Sequence, residues 1–158
     1  MPVVSAEIVV PVDPATAFAV SQTTGQVRRR WDRFISEQHF LDGATAADND
    51  VLTYTRQRFG FSMVSRYVSY APPTNVGMVM VDGPWFFSKL GGGWRFTPAP
   101  SGTGTLAVWK YNFSCRPIWL APVAEWIGVR VLGFEIRRRI AGFARGCADP
   151  VVLESVRR

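Results

Sequence analysis

The chain has 158 residues, 47% hydrophobic and 19% charged, which is ordinary globular material for one domain with its own core. Its net charge of +6 comes almost wholly from arginine, sixteen Arg against two Lys. No zinc-finger, RNP-type or helix-turn-helix pattern accompanies that charge, so nucleic acid is not expected as a partner. No run of about 18 apolar residues is present, which excludes a spanning helix. The opening MPVVSAEIVV lacks a basic leader and reads as a strand rather than a signal peptide, so a cytoplasmic protein is the simplest expectation.

In chain order, Val3 to Val10 alternates and is valine-rich, which predicts a strand. Asp13 is a natural N-cap with Pro14 at the first helical position, and a short helix follows with Phe18 toward the core. After Thr23-Thr24-Gly25, a second short helix or turn runs from Gln26 to Phe34, with Trp31 and Phe34 on one side. Ser36 to Asp42 reads as a strand, Ala44 to Asp50 as a polar loop, and Val51 to Phe59 and Phe61 to Tyr70 as two strands meeting at Gly60. Val76 to Asp82 is apolar on both faces, Val76, Met78 and Met80 on one, Val79 and Val81 on the other. That pattern predicts a strand covered on both sides, at least in part. Gly91-Gly92-Gly93 opens no helix and reads as a flexible hairpin rather than a phosphate loop, with the next strand at Trp94 to Pro98. Thr105 to Cys115 closes the sheet, and Ala107, Trp109, Tyr111 and Phe113 form its better core face.

A long helical stretch runs from about Trp119 to Cys147. At roughly 100° per residue, Leu120, Val123, Ile127, Val131 and Phe134 form one stripe. Ile136, Ile140, Phe143 and Cys147 fall on nearly the opposite side. Two explanations compete. The favoured one is a break or kink at Gly128 or Gly133. The other is that the first half is apolar beyond its core stripe because Trp119 and Trp126 meet a partner, a membrane surface or a bound lipid.

The order of these elements and several local motifs resemble the START-like, helix-grip (SRPBCC) superfamily, which includes the birch-pollen-allergen fold, polyketide cyclases and coenzyme-Q-binding proteins. Within it the chain is most similar to the bacterial polyketide cyclase/dehydrase and lipid-transport group. The resemblance rests on VPVDPATAFAV after the first strand, RRWDRFI in the second helix, YAPPT between central strands, GGGWRFTP with GTGTLAVWKYNF in the last hairpin, and RPIWLAPVAEWI with FEIRRRIAGF along the final helix. It implies an α+β helix-grip fold: a curved antiparallel sheet of six or seven strands, two short helices after strand 1, and a long C-terminal helix across the sheet. It also implies a cavity between sheet and helix. Fold likeness leaves the task open, since members bind sterols, quinones, lipids, hormones and polyketides.

Little in the chain points to covalent or metal chemistry. Paired carboxylates at close spacing, G-x-S-x-G, Walker and H-E-x-x-H patterns are all missing. Cys115 and Cys147 lie far apart and read as buried free thiols, and His39 has no ligand partners at metal spacing, so neither a metal site nor a cofactor is expected. The clusters Arg28-Arg29-Arg30 and Arg137-Arg138-Arg139 read as solvated helix faces; the functional alternative is an anionic partner.

The large side chains on candidate inner faces are the expected ligand-binding set. They are Trp31 and Phe34 from the second helix, Met78, Met80, Trp94 and Phe96 from the central strands, Trp109, Tyr111 and Phe113 from the last strand, and Val123, Ile127 and Phe134 from the long helix. Tyr111, Tyr54 and Arg66 are the catalytic candidates, with Tyr67 and Asn112 as further polar groups; Arg66 itself reads as a surface arginine. Three functions follow as expectations. The first is binding of a small apolar molecule (lipid, quinone or polyketide-like). The second is polyketide aromatase/cyclase or dehydratase activity through tyrosine and arginine. The third is docking of the basic, aromatic C-terminal helix on a protein or an anionic membrane surface.

Overall fold

The computed structural model describes residues 1–157. The elements are β1 (Val3–Val10), α1 (Pro14–Ser21), α2 (Gly25–Trp31), β2 (Ile35–Phe40), β3 (Leu52–Gln57), β4 (Ser62–Ala71), β5 (Asn75–Asp82), β6 (Phe87–Pro98) and β7 (Thr105–Cys115). A 3-10 turn at Ile118–Leu120 then leads into α3 (Ala121–Gly146), and α4 (Pro150–Val156) follows. The seven strands form one antiparallel sheet in the order β1-β7-β6-β5-β4-β3-β2. The first strand thus pairs with the last, and the sheet curls around α3 as a helix-grip fold.

Alternation decides which face is inward. In β7, Thr105, Ala107, Trp109, Tyr111, Phe113 and Cys115 are all buried, the period of two expected of a half-buried strand. They meet α3 through Ile136, Ile140 and Phe143. Trp94 stacks on Trp109 with ring centroids 4.1 Å apart, and Phe143 covers Trp94 at 4.7 Å. Trp31 meets Phe143 edge-on at 5.6 Å. Two glycines allow that approach: a Cβ on Gly142 would lie 2.2 Å from the Trp31 carbonyl oxygen, and one on Gly146 2.8 Å from the Trp31 side chain.

Four expectations are corrected. Helix α3 runs unbroken from Ala121 to Gly146, with no break at Gly128 or Gly133. Its first half carries an exposed apolar stripe instead, and Gly128 lies close against Phe113 because a Cβ there would come within 2.6 Å of the ring. Val79 and Val81 of β5 are exposed, so the convex face of the sheet is open. The triple glycine is not a hairpin but the middle of β6, paired on both sides. Finally, Arg28 and Arg139 are buried rather than solvated. Helix α4 went unpredicted, although Asp149-Pro150 is the same cap signal as Asp13-Pro14. The Asp149 carboxylate accepts from the Val151 N–H, whereas Asp13 bonds the Thr16 hydroxyl.

Candidate ligand cavity

Helix α3 packs mainly over β1 and β7, and α1 and α2 cover parts of β6 and β2, which leaves the middle of the concave face of β3–β6 open beside them. There a cavity of about 270 Å³ lies between the sheet, α2 and the middle of α3, just below the usual range for small-molecule sites. One register row explains why space remains. Met78 pairs with Gly92, and Gly92 pairs with Tyr111. The missing side chain at Gly92 leaves a gap between Met78 and Tyr111, where the neighbouring row fills the space with Val76, Trp94 and Trp109.

The cavity wall is two-sided. On β5 and β6, Met78, Met80, Leu90 and Trp94 are apolar, with Phe86 and Phe87 at the start of β6. On β2, β3 and β4, Gln38, Thr55, Ser65 and Tyr67 are polar. Tyr67 donates to Gln22 Oε1 at 2.8 Å, and burial pushes its phenol up to about 12. Gln38 donates to Thr55 Oγ1 at 3.1 Å, while its own carbonyl oxygen is buried without a partner.

The inner end is closed by a buried ion network. Asp32, fully buried, accepts from Arg139 Nη2 at 2.7 Å and from Arg28 Nε at 3.1 Å. Arg28 also donates to the Ser21 carbonyl at 2.6 Å. Arg139 lies 4.4 Å above the Trp109 ring and donates from Nη1 to the Tyr111 hydroxyl oxygen and to Glu135 Oε1. Burial alone would raise the Asp32 carboxyl, but Arg139 and Arg28 outweigh it and hold it below the usual carboxylate range. Burial lowers the Arg28 guanidinium despite Asp32. In Arg139 the pull of burial is overcome by Asp32, Tyr111 and Glu135, which raise it. Burial also raises the Glu135 carboxyl, against the attraction of Arg139.

Tyr111 lines the cavity together with Arg28, Glu135 and Arg139 of this network. Burial raises its phenol well above the ordinary value despite Arg139, so it stays neutral and keeps its proton. Its oxygen accepts from Arg139, and among the described residues no side chain accepts its O–H. A phenol polarised in this way is a donor for a carbonyl or hydroxyl oxygen of a bound molecule.

The expected site residues divide three ways. Met78, Met80, Trp94, Trp109 and Tyr111 line the cavity. Trp31, Phe96 and Phe113 are buried in the surrounding core, while Phe34 sits against Phe59 at 6.5 Å. Val123, Ile127 and Phe134 face outward on α3 because the helix does not kink. Of the other polar candidates, Arg66 and Asn112 are exposed, and Tyr54 packs against His39 at 5.2 Å, away from the cavity.

Sequence reasoning missed Arg28, Asp32, Glu135 and Arg139. A signal existed: Arg28 and Asp32 are spaced i,i+4, as are Glu135 and Arg139. Arg139 also falls three residues after Ile136 and four before Phe143, on the buried stripe. Cys115 and Cys147 are free and buried. No three His, Cys, Asp or Glu side chains come together among the described residues.

A curled sheet gripping one helix, with a polar-ended cavity between them, defines a helix-grip cavity protein. The family model described as polyketide cyclase / dehydrase and lipid transport matches residues 1–148, so the chain belongs to that family. No curated protein matches the sequence. Among solved structures, a START superfamily protein from Mycobacterium smegmatis is similar over 90% of this chain and 94% of its own, with 11% identity and a TM-score of 0.72. The protein XoxI from Bacillus cereus is similar over 94% of this chain and 97% of its own, with 8% identity and a TM-score of 0.75. A protein from Thermus thermophilus is similar over 93% of this chain and 97% of its own, with 11% identity and a TM-score of 0.74. At these identities the structures show the fold alone; family membership supports a role in binding hydrophobic ligands.

Proposed function

We propose that the chain binds a small, largely apolar molecule carrying at least one acceptor oxygen, such as a lipid, quinone or polyketide-like compound. The observation that carries this reading is the lone O–H of Tyr111, held by Arg139 at the end of an otherwise apolar wall of Met78, Met80, Leu90 and Trp94. An acceptor oxygen would occupy the free donor, and the chain or ring behind it would fill the gap above Gly92. The methionines suit a ligand of variable shape because their side chains are flexible and polarisable.

Native mass spectrometry of the purified protein, with denaturing extraction of anything bound, tests the reading. A co-purifying oxygenated apolar molecule supports it. Leu90→Trp, which adds bulk inside the cavity, should remove that molecule while leaving a folded protein. Retention of the molecule by Leu90→Trp would place binding elsewhere.

A second reading, catalysis, is favoured by the same Arg139–Tyr111 pair. A guanidinium-backed phenol is suited to stabilising an enolate oxygen, as a cyclase or dehydratase acting on a polyketide requires. Tyr111→Phe separates the two. A loss of turnover at unchanged affinity favours an enzyme; equal loss of both returns the site to binding.

A further inference from the structure

The cavity opens onto a surface that small-molecule binding does not explain. Phe61, Phe86 and Val131 both line the cavity and face solvent, so they form its rim. From the rim the apolar surface continues to Trp85, 68% exposed, to Trp126, 59%, and to Trp119, 78%. Arg116 holds these segments together: its N–H donates to the Phe86 carbonyl at 3.0 Å and its Nη2 to the Phe87 carbonyl at 2.8 Å. The 3-10 turn, the first turns of α3 and the β5–β6 loop therefore share one end of the molecule. The three tryptophans alone present on the order of 400 Å² of apolar surface, already comparable with the largest patch on an ordinary monomer.

The same end is basic. Lys89, Arg116 and Arg130 are exposed there, and Arg138 is exposed further along the same outward face of α3 as Val131. Arg130 lies on the Trp126 ring at 3.8 Å and Arg138 over Phe134 at 5.1 Å. The nearby acids are turned inward: Glu125 accepts from the Cys115 N–H and Glu135 from Arg139, which leaves Asp82 as the exposed carboxylate at the edge. A second copy of the chain is a poor occupant, because a two-fold interface brings the same basic patch to both sides and so sets like charge against like. An anionic bilayer fits both properties. Tryptophan rings favour the headgroup level, and guanidinium groups bind lipid phosphates.

We propose that this face docks on an anionic lipid bilayer and sets the mouth of the cavity against the acyl region. A ligand would then pass between bilayer and cavity without crossing water. This goes beyond the binding function, and vesicle binding reads it whether or not the cavity is filled.

The test is co-sedimentation with phosphatidylcholine vesicles with and without phosphatidylglycerol, together with tryptophan quenching by brominated lipid. The expected result is binding that needs phosphatidylglycerol, weakens with added salt and quenches tryptophan fluorescence. Trp119→Ser/Trp126→Ser and Arg130→Glu/Arg138→Glu should each lower vesicle partitioning by about tenfold or more, with unchanged circular dichroism. Three results overturn the proposal: no binding to either vesicle, undiminished binding by both variants, or a wild-type dimer in light scattering that Trp126→Ser converts to monomer.

Discussion

Replacing Asp32 by Asn keeps the shape of the side chain and removes its charge. The carboxylate is fully buried between Arg139, 2.7 Å away, and Arg28, 3.1 Å away. Without it two buried guanidinium groups face each other, and only Glu135, whose carboxyl is itself raised, remains as an acid at Arg139. Breaking a buried ion pair from one side costs about 3–5 kcal/mol, and here two pairs share the lost partner. For a chain of 158 residues that corresponds to a drop in Tm of about 10 °C or more. Urea denaturation followed by circular dichroism measures the free-energy loss, and a thermal scan the shift in Tm. The sign of the pH dependence is fixed by the lowered Asp32 carboxyl. Its contribution is complete above the unfolded-chain value of about 3.9 and is lost as pH falls through the lower native value. The gap between wild type and Asp32→Asn should therefore be steady from about pH 5 to 8 and close below about pH 4. Adding Arg139→Met to Asp32→Asn removes the repulsion, so the double variant should be more stable than the sum of the single losses. A loss below about 1 kcal/mol for Asp32→Asn at neutral pH would refute the reasoning, because it would mean water reaches the guanidinium groups through the cavity.

Two further outcomes follow from packing. Gly93→Ala should destabilise by about 1–3 kcal/mol, since its Cβ would lie 2.3 Å from the Val76 carbonyl oxygen; an unchanged urea midpoint would mean β5 and β6 can part there. Burial raises the Cys115 thiol and pushes Cys147 up to about 12, so iodoacetamide at pH 8 should label neither in the native protein and both in urea, read by intact mass.

The strands were legible wherever one face meets the core. β1 and β7 alternate so strictly that their limits, Val3–Val10 and Thr105–Cys115, were read directly from the sequence. β6 was only half legible. Glycine gives no alternation signal, so its first half looked like a loop, although pairing to β5 and β7 holds it in the sheet. In α3 the sequence favours a kink because its apolar stripe changes sides. The stripe changes because the second half sets large side chains on the sheet's core, whereas the first half meets the core through small Ala124 and Gly128 and turns its large apolar side chains to solvent. The cavity was half legible for a related reason. Large apolar residues announce themselves, but Arg139 sits in a run of three arginines whose neighbours Arg137 and Arg138 are solvated. Only its phase relative to Ile136 and Phe143 distinguishes it.

Gly92 has a consequence for how such a protein can change over time. A Cβ there would meet the Lys110 carbonyl oxygen at 2.7 Å and the Tyr111 ring at 3.2 Å, so the obstacle includes the neighbouring strand's own backbone. No side chain can be added at that position without moving the sheet, and the floor of the cavity is therefore closed to drift. Divergence in ligand size has to come from Met78, Met80 and Leu90 around it, where one flexible side chain can be exchanged for another without touching the backbone. A lineage built on this chain would keep its glycine and its Tyr111–Arg139 end while its apolar wall wanders, retaining the polar anchor as the molecule attached to it changes.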